Sequence, residues 1–184
     1  MEIYLVRHTT PNIEKGICYG QSDIDITADF DKEASEILRK IPFDKNTAIY
    51  ASPLQRCTKL AKKFNPNFLT NAQLMELDFG DWELKNWNEI PSEEMTPWMK
   101  DFVNVKVPNG ESYTELSERS ISFFDALIAQ KNSTSIVICH AGVMRSILAK
   151  FTNTELKDSF DIKISYGQVS KISIGKTTEI STSI

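Results

Sequence analysis

The sequence predicts an α/β fold, a three-layer αβα sandwich built around a mostly parallel central sheet. Three observations predict it. Short apolar runs alternate with stretches of helical periodicity along the chain. Ser135 to Cys139 is a continuous apolar run, suited to a strand covered on both faces. Capping and breaking residues separate the two kinds of segment, as in Ser52-Pro53, Asn65-Pro66-Asn67 and Ser112-Tyr113-Thr114-Glu115. Sheets of this kind bind their ligands beyond the carboxyl ends of the strands.

The elements follow in order. Ile3 to Val6 is the first strand, and Phe30, Ala34, Ile37, Leu38 and Ile41 give the first helix its apolar stripe. Thr47 to Ala51 reads as a second buried strand. Ser52-Pro53 then matches an N-cap followed by proline at the first helical position, with Leu54, Cys57, Leu60, Ala61 and Phe64 as the apolar face. A third strand is expected within Phe68 to Leu74. Ser112 to Glu115 is a capping box opening a long helix to about Ala129. Ser135 to Cys139 is the central strand, Val143, Ile147, Leu148 and Phe151 face a further helix inward, and Val169 to Ile174 closes the sheet. Thr177 to Ile184 reads as a frayed or loosely paired terminus.

With 184 residues, one domain spanning 1–184 is expected. The region Gly80 to Gly110 holds all three tryptophans and is a candidate helical cap over the site. Apolar residues make up 41% and charged residues 25%, the balance of a soluble globular chain. No run has the length of a membrane span or a signal-peptide core, which predicts a cytoplasmic protein with no membrane partner. Three cysteines without paired spacing argue for reduced thiols and against a disulfide framework, and the sequence has no Cys-x-x-Cys and no zinc pattern. A net charge of -4 excludes a general attraction for nucleic acid. Any anion site must therefore be local. Nothing in the sequence fixes the oligomeric state.

The chain has only two histidines, and each stands just past an apolar strand: His8 after Ile3-Tyr4-Leu5-Val6-Arg7, His140 after Ile136-Val137-Ile138-Cys139. Taken singly, either reads as a surface histidine beside a strand. Their company argues otherwise, because Arg7 adjoins the first and Ala141-Gly142 opens a helix after the second. Arg7 and Arg56, with the amides at the start of the helix after Ser52, would surround an anion, and phosphate suits that cradle. His8 would attack phosphorus through a neutral ring nitrogen while the arginines and His140 balance charge on the other oxygens. Glu76, past the third strand, would supply the proton of the leaving group; Asp78, Asp81 and Glu83 compete, and a surface carboxylate is the ordinary alternative for each.

These residues resemble those of the histidine phosphatase superfamily, which includes the cofactor-dependent phosphoglycerate mutases. Leu5-Val6-Arg7-His8-Thr9 is similar to its strand-end Arg-His-Gly motif, Ser52-Pro53-Leu54-Gln55-Arg56 to its Ser-Pro-Leu-x-Arg segment, Leu77 to Glu83 to its Phe-Gly-x-Trp-Glu stretch and His140-Ala141-Gly142 to its second histidine motif. The resemblance implies a phosphoglycerate mutase-like fold and a metal-independent phosphomonoesterase with no cofactor, acting on a small phosphorylated metabolite. It implies His8 as phosphohistidine nucleophile, Arg7, Arg56 and His140 as phosphate ligands, and Glu76 as proton donor. Gly16 to Asp23, Arg7 to Pro11 and Trp98 through Ser112 resemble the alpha-ribazole phosphatases in particular. That likeness implies alpha-ribazole 5′-phosphate, a cobalamin precursor, as substrate, with Tyr19, Gly20, Gln21 and Trp82 in contact with it. The chain departs from the pattern at Thr9, where glycine is usual, and lacks the Glu-x-x-x-Asn continuation of many relatives. Other phosphorylated metabolites, and a mutase reaction, are alternatives.

Rival readings are open to test. Cys139 to Ser146 also satisfies Cys-x-Ala-Gly-x-x-Arg-Ser and resembles the phosphate loop of cysteine-dependent phosphatases, with Cys139 as thiolate and Arg145 as phosphate ligand. Against it, Ile138 replaces the histidine that normally precedes that cysteine, and Arg7, His8, Arg56 and Glu76 would have no roles. A second alternative is a noncatalytic phospholigand-binding module. A third makes Asp23, Asp25, Asp29 and Asp31 a cation site, but Ala28 stands where a calcium loop needs glycine.

Overall fold

The computed structural model describes residues 1–175 and 178–182. The apolar strand β4 (Thr134–Cys139) lies inside a six-stranded sheet, flanked by β1 (Glu2–Arg7) and β2 (Ala48–Ala51), both parallel to it. The order continues outward to β3 (Leu69–Thr70) on one side and to β5 (Val169–Ile174) and β6 (Thr178–Thr182) on the other. β3 is parallel to β2, whereas β5 and β6 run antiparallel to their neighbours. Alternation along the strands then divides the core in two. Ile3, Leu5, Val137 and Cys139 face α4 (Tyr113–Ala129) and α5 (Ala141–Thr152), while Tyr4, Val6, Ile136 and Ile138 face α1 (Phe30–Lys40) and α2 (Gln55–Phe64).

The expected αβα architecture forms, and α4 begins with the capping box read from the sequence: Ser112 Oγ accepts from the Glu115 amide, and Glu115 accepts from the Ser112 amide at 2.9 Å. Local differences have physical causes. The third strand is only two residues long, because Ala72–Leu74 turns into a 3-10 helix whose Gln73 amide is taken by the Asn71 side chain. The C-terminal segment is not frayed over its described part; Thr178–Thr182 pairs with β5 as an edge strand, and residues 176, 177, 183 and 184 lie outside the described residues. Ser52 does not cap α2. The helix begins at Gln55, and its first amide is capped from another loop by Asp23 Oδ1 at 2.7 Å. No helix among the described residues is long and apolar enough to cross a membrane.

Gly80 to Gly110 forms a satellite cluster around Cys18, Trp82, Ile90 and Val107, with Trp87, Met95 and Trp98 packed against it. Its helix α3 (Ser92–Lys100) carries Pro97 and contributes Glu94, which accepts the Trp82 indole N–H at 2.7 Å.

Candidate active site

Three parallel strands end side by side and set the site. Arg7 pairs with Cys139 and Ala51 with Ile138, and each ladder runs one residue further: the His8 amide donates to the Cys139 carbonyl at 3.1 Å, the Ser52 amide to the Ile138 carbonyl at 2.9 Å. His8, Ser52 and His140 therefore emerge together. The two imidazole centroids are 5.0 Å apart in an edge-to-face arrangement.

The His8 ring has a defined proton. His8 Nδ1 lies 2.7 Å from the Thr9 carbonyl, which can only accept, so Nδ1 carries the hydrogen and Nε2 keeps its lone pair. Burial, reinforced by the Arg56 and Arg7 charges, holds His8 well below the ordinary histidine range. It is a neutral imidazole with Nε2 free to attack. His140 is held down likewise, by burial first and then by Arg56, His8 and Arg7. Its Nε2 faces Ser52 Oγ at 2.9 Å, and its Nδ1 is buried without a partner. Cys57 Sγ lies 3.6 Å from Nε2 and is also a partner of the Ser52 hydroxyl. In the tautomer in which Ser52 donates to Nε2, the hydrogen on Nδ1 faces the cavity.

Two guanidiniums surround these rings, with no carboxylate partner for either among the described residues. Arg56 is wholly buried; its Nη atoms donate to the Ser22 and Gly20 carbonyls, and its Nε has no partner. Arg7 donates to the Ile164 carbonyl at 2.7 Å, stacks on the Tyr166 ring at 3.8 Å and also leaves its Nε unpaired. A buried cation such as Arg56, hydrogen-bonded only to carbonyls, is costly unless an anion completes it. The loop carbonyls are themselves fixed by Glu83, whose carboxylate accepts the amides of Gly20, Gln21, Ser22 and Phe79 and the Ser22 hydroxyl. Burial opposes that charge, yet the Ser22 hydroxyl and the loop amides keep Glu83 below its ordinary carboxylate range.

Glu76 sits on the opposite wall. Both its oxygens lie 3.2 Å from the Gly142 amide at the start of α5, and Oε1 also accepts from the Leu77 amide. A Cβ on residue 142 would stand 2.4 Å from Glu76 Oε1, so glycine is what admits the carboxylate. Arg119 fixes the backbone behind it, donating to the Gln73, Met75 and Glu76 carbonyls while paired with Glu111.

A cavity of about 220 Å³ joins these groups. Arg7, His8, Arg56, Glu76 and His140 all line it, as does Tyr19. The other sequence-derived contacts stand elsewhere. Gly20 is packed so closely against the Leu77 carbonyl that a Cβ would lie 1.8 Å from it, and it serves Arg56 through its own carbonyl. Gln21 donates to the Glu76 carbonyl at 3.1 Å. Trp82 is fully buried; Trp87 lines the cavity instead, together with Ile17, Phe79, Tyr113, Arg145 and Phe160. α3 contributes no lining residue; its Trp98 packs against Trp82 and Trp87, and only Trp87 of the three lines the cavity. The α2 amides are not the anion site either, since Asp23 already occupies the first of them.

A family model, histidine phosphatase superfamily (branch 1), matches residues 3–182. The chain belongs to this superfamily. A Hydrogenobacter thermophilus protein named as a phosphoserine phosphatase is 26% identical over 178 residues, 92% of this chain and 88% of that one. An Escherichia fergusonii protein named as a phosphoglycerate mutase is 31% identical over 151 residues, 76% of this chain and 69% of that one. In fold, the chain is similar to the alpha-ribazole phosphatase of Shigella flexneri, with a TM-score of 0.88 at 20% identity over 99% of this chain and 95% of that one. The superfamily's usual glycine after the first histidine is here Thr9. Its φ is not positive, so the backbone there does not call for glycine, and its carbonyl orients His8, although its buried hydroxyl has no partner among the described residues.

The rival groups are placed otherwise. Cys139 is fully buried in the sheet core, and burial drives its thiol well above the ordinary range. Three of the four acidic residues of the Asp23–Asp31 stretch serve α2, since Asp23 caps it, Asp25 pairs with Lys59 and Asp31 with Lys63, while Asp29 stands at the N-cap of α1.

Proposed function

We propose that the protein is a metal-independent phosphomonoesterase for small phosphorylated metabolites, working through a phosphohistidine on His8. The observation that carries this reading is the buried Arg56 with the half-buried Arg7, both without a carboxylate partner among the described residues, beside a His8 whose Nδ1–H is tied to a carbonyl and whose Nε2 is free. Arg7, Arg56 and the Nδ1–H of His140 hold the nonbridging phosphoryl oxygens. His8 Nε2 forms the N–P bond as the P–O bond to the leaving group breaks, and Glu76 gives that oxygen its proton. Water, deprotonated by the same carboxylate, then takes the phosphoryl group from His8 and restores both residues.

Size supports a small substrate. At about 220 Å³ the cavity is below the roughly 300 Å³ at which pockets for drug-sized ligands begin. A second reading, hydrolysis of alpha-ribazole 5′-phosphate, is favoured by the aromatic side of the cavity, where Tyr19 and Trp87 offer faces to a flat heterocycle. The fold likeness to an alpha-ribazole phosphatase leaves the substrate open.

A substrate panel tests the reading. Alpha-ribazole 5′-phosphate, phosphoserine, 3-phosphoglycerate and sugar phosphates are compared in the presence of a chelator. Release of phosphate from at least one, abolished in His8→Ala, is expected; a chelator-sensitive activity, or one that survives His8→Ala, contradicts the proposal. A clear preference for alpha-ribazole 5′-phosphate would select the second reading.

A further inference from the structure

Two tyrosines stand against the two arginines of the phosphate cradle, and neither has a task in the reaction just described. The guanidinium carbon of Arg7 lies 3.8 Å from the centroid of the Tyr166 ring, and that of Arg56 lies 5.6 Å from the centroid of the Tyr19 ring. The two phenol oxygens are 2.7 Å apart and share a hydrogen bond. An unbroken chain of contacts, Arg7 to Tyr166 to Tyr19 to Arg56, therefore links the two cations. The Tyr166 ring also packs on His8, with centroids 5.6 Å apart.

The backbone seats Tyr166 there. Ser165 to Gln168 form a turn in which the Gln168 amide donates to the Ser165 carbonyl at 3.1 Å and the Gln168 side chain accepts the Ser165 amide at 2.9 Å. Gly167, at φ +67°, supplies the left-handed residue after Tyr166. Two bonds then fasten this turn to the end of β1: the Gly167 amide donates to the His8 carbonyl at 3.1 Å, and the Arg7 amide to the Gln168 carbonyl at 3.0 Å. Tyr19 is held as firmly, because Glu83 gathers the amides of the three residues that follow it. Tyr166 is 40% exposed and is not part of the cavity wall, whereas Tyr19 is. Any effect of Tyr166 on substrate must therefore pass through a neighbour.

We infer that Tyr166 is a positioning residue: its ring holds the Arg7 fork at the angle that meets the phosphoryl oxygens, and its hydroxyl bond to Tyr19 ties that fork to Arg56. A guanidinium binds through a planar fork, so the tilt of its plane decides which oxygens it reaches. The Ile164 carbonyl fixes one Nη of Arg7 and leaves the plane free to swing about that bond. The stacked ring removes that freedom, since an aromatic face attracts a cation and lies flat against it. This inference rests on the reading of Arg7 as a phosphate ligand, and it does not depend on which atom attacks phosphorus.

Inorganic phosphate, titrated into the protein by calorimetry, is the probe. Tyr166→Leu, which loses the stacking face, is expected to weaken phosphate binding by about tenfold or more, within the worth of a desolvated cation–π contact. Tyr166→Phe keeps the face and is expected to lose only about threefold, the share of one hydrogen bond. In an Arg7→Ala background, where there is no fork to position, Tyr166→Leu should cost nothing further. Tyr19→Phe and Tyr166→Phe remove the same bond, so the double variant should bind no more weakly than either single one. Unchanged affinity in Tyr166→Leu, or the same loss with and without Arg7, overturns the inference, because a purely structural role would lower the melting temperature in both backgrounds alike. The conservative phenylalanine pair carries the test if the leucine variant does not fold: additive losses, or none at all, overturn the tie between the rings. Unchanged affinity in Arg7→Ala would defeat the reading of Arg7 as a phosphate ligand, whereas a loss there with none in Tyr166→Leu defeats only the role of Tyr166.

Discussion

Ser52 Oγ lies 2.9 Å from Nε2 of His140, so a residue that the sequence marks as a helix cap serves the histidine instead. In the proposed mechanism the hydroxyl donates to Nε2 and leaves Nδ1–H for the phosphoryl group. Ser52→Ala removes that constraint without opening a large hole. A loss of about tenfold in kcat/KM is expected, the worth of one such hydrogen bond, with little change in thermal stability. Steady-state kinetics beside a melting curve checks it; activity equal to wild type would separate Ser52 from the site.

Gly142 admits Glu76. In Gly142→Ala the new methyl group would meet Glu76 Oε1 at 2.4 Å and Leu116 at 3.2 Å, and the mobile carboxylate is what gives way. The proposed acid is thereby displaced. Hydrolysis of an alkyl phosphate is expected to fall by on the order of 10²-fold, while an aryl phosphate with a good leaving group, which needs little protonation, loses much less. Equal losses on both substrates would mean that Glu76 does not act on the leaving group.

Glu83 reaches the cavity only through the loop it clamps. Glu83→Gln leaves one acceptor oxygen where two gather the Gly20, Gln21 and Ser22 amides, and the carbonyls that hold Arg56 lose their anchor. The expected result is weaker binding of inorganic phosphate and a raised KM, beyond any loss of stability. Titration with phosphate checks it, and unchanged affinity in a folded variant would contradict this chain of contacts.

The two buried histidines make stability depend on pH. Both are held well below the ordinary range when folded, so below about pH 6.5 the unfolded chain binds protons that the folded chain refuses, and stability falls as pH falls. Each contributes at most about 1.4 kcal/mol per pH unit. Urea unfolding at pH 7.5 and 5.5 is expected to show a larger loss for wild type than for the double variant His8→Asn, His140→Asn. The same loss in both would place the pH dependence elsewhere.

The sheet, its helices and the residues from its strand ends were legible because each depends on local pattern: an apolar run, a helical stripe, a capping box. What was not legible depends on distant partners. Ser52-Pro53 has the local form of a cap, but the Gln55 amide is reached first by Asp23, from a loop thirty-odd positions away. Trp82 and Trp87 look alike in sequence, and a 3-10 turn at Gly80–Trp82 sends the first toward Glu94 while the second lines the cavity. The polar Thr178–Thr182 segment carries no burial signal because an edge strand has one neighbour. Tyr166 and Phe160 come from a stretch with no motif, and only their stacking on Arg7 and Arg145 identifies them.

The central claim is that His8 alone carries phosphate, and trapping the intermediate tests it most directly. Protein turning over a ³²P-labelled substrate is quenched and mapped by peptide. The expected label is acid-labile and base-stable, lies on the peptide containing His8, persists in Cys139→Ser and is absent from His8→Ala. Label on Cys139 or His140, or turnover with no phosphoenzyme, would contradict the account.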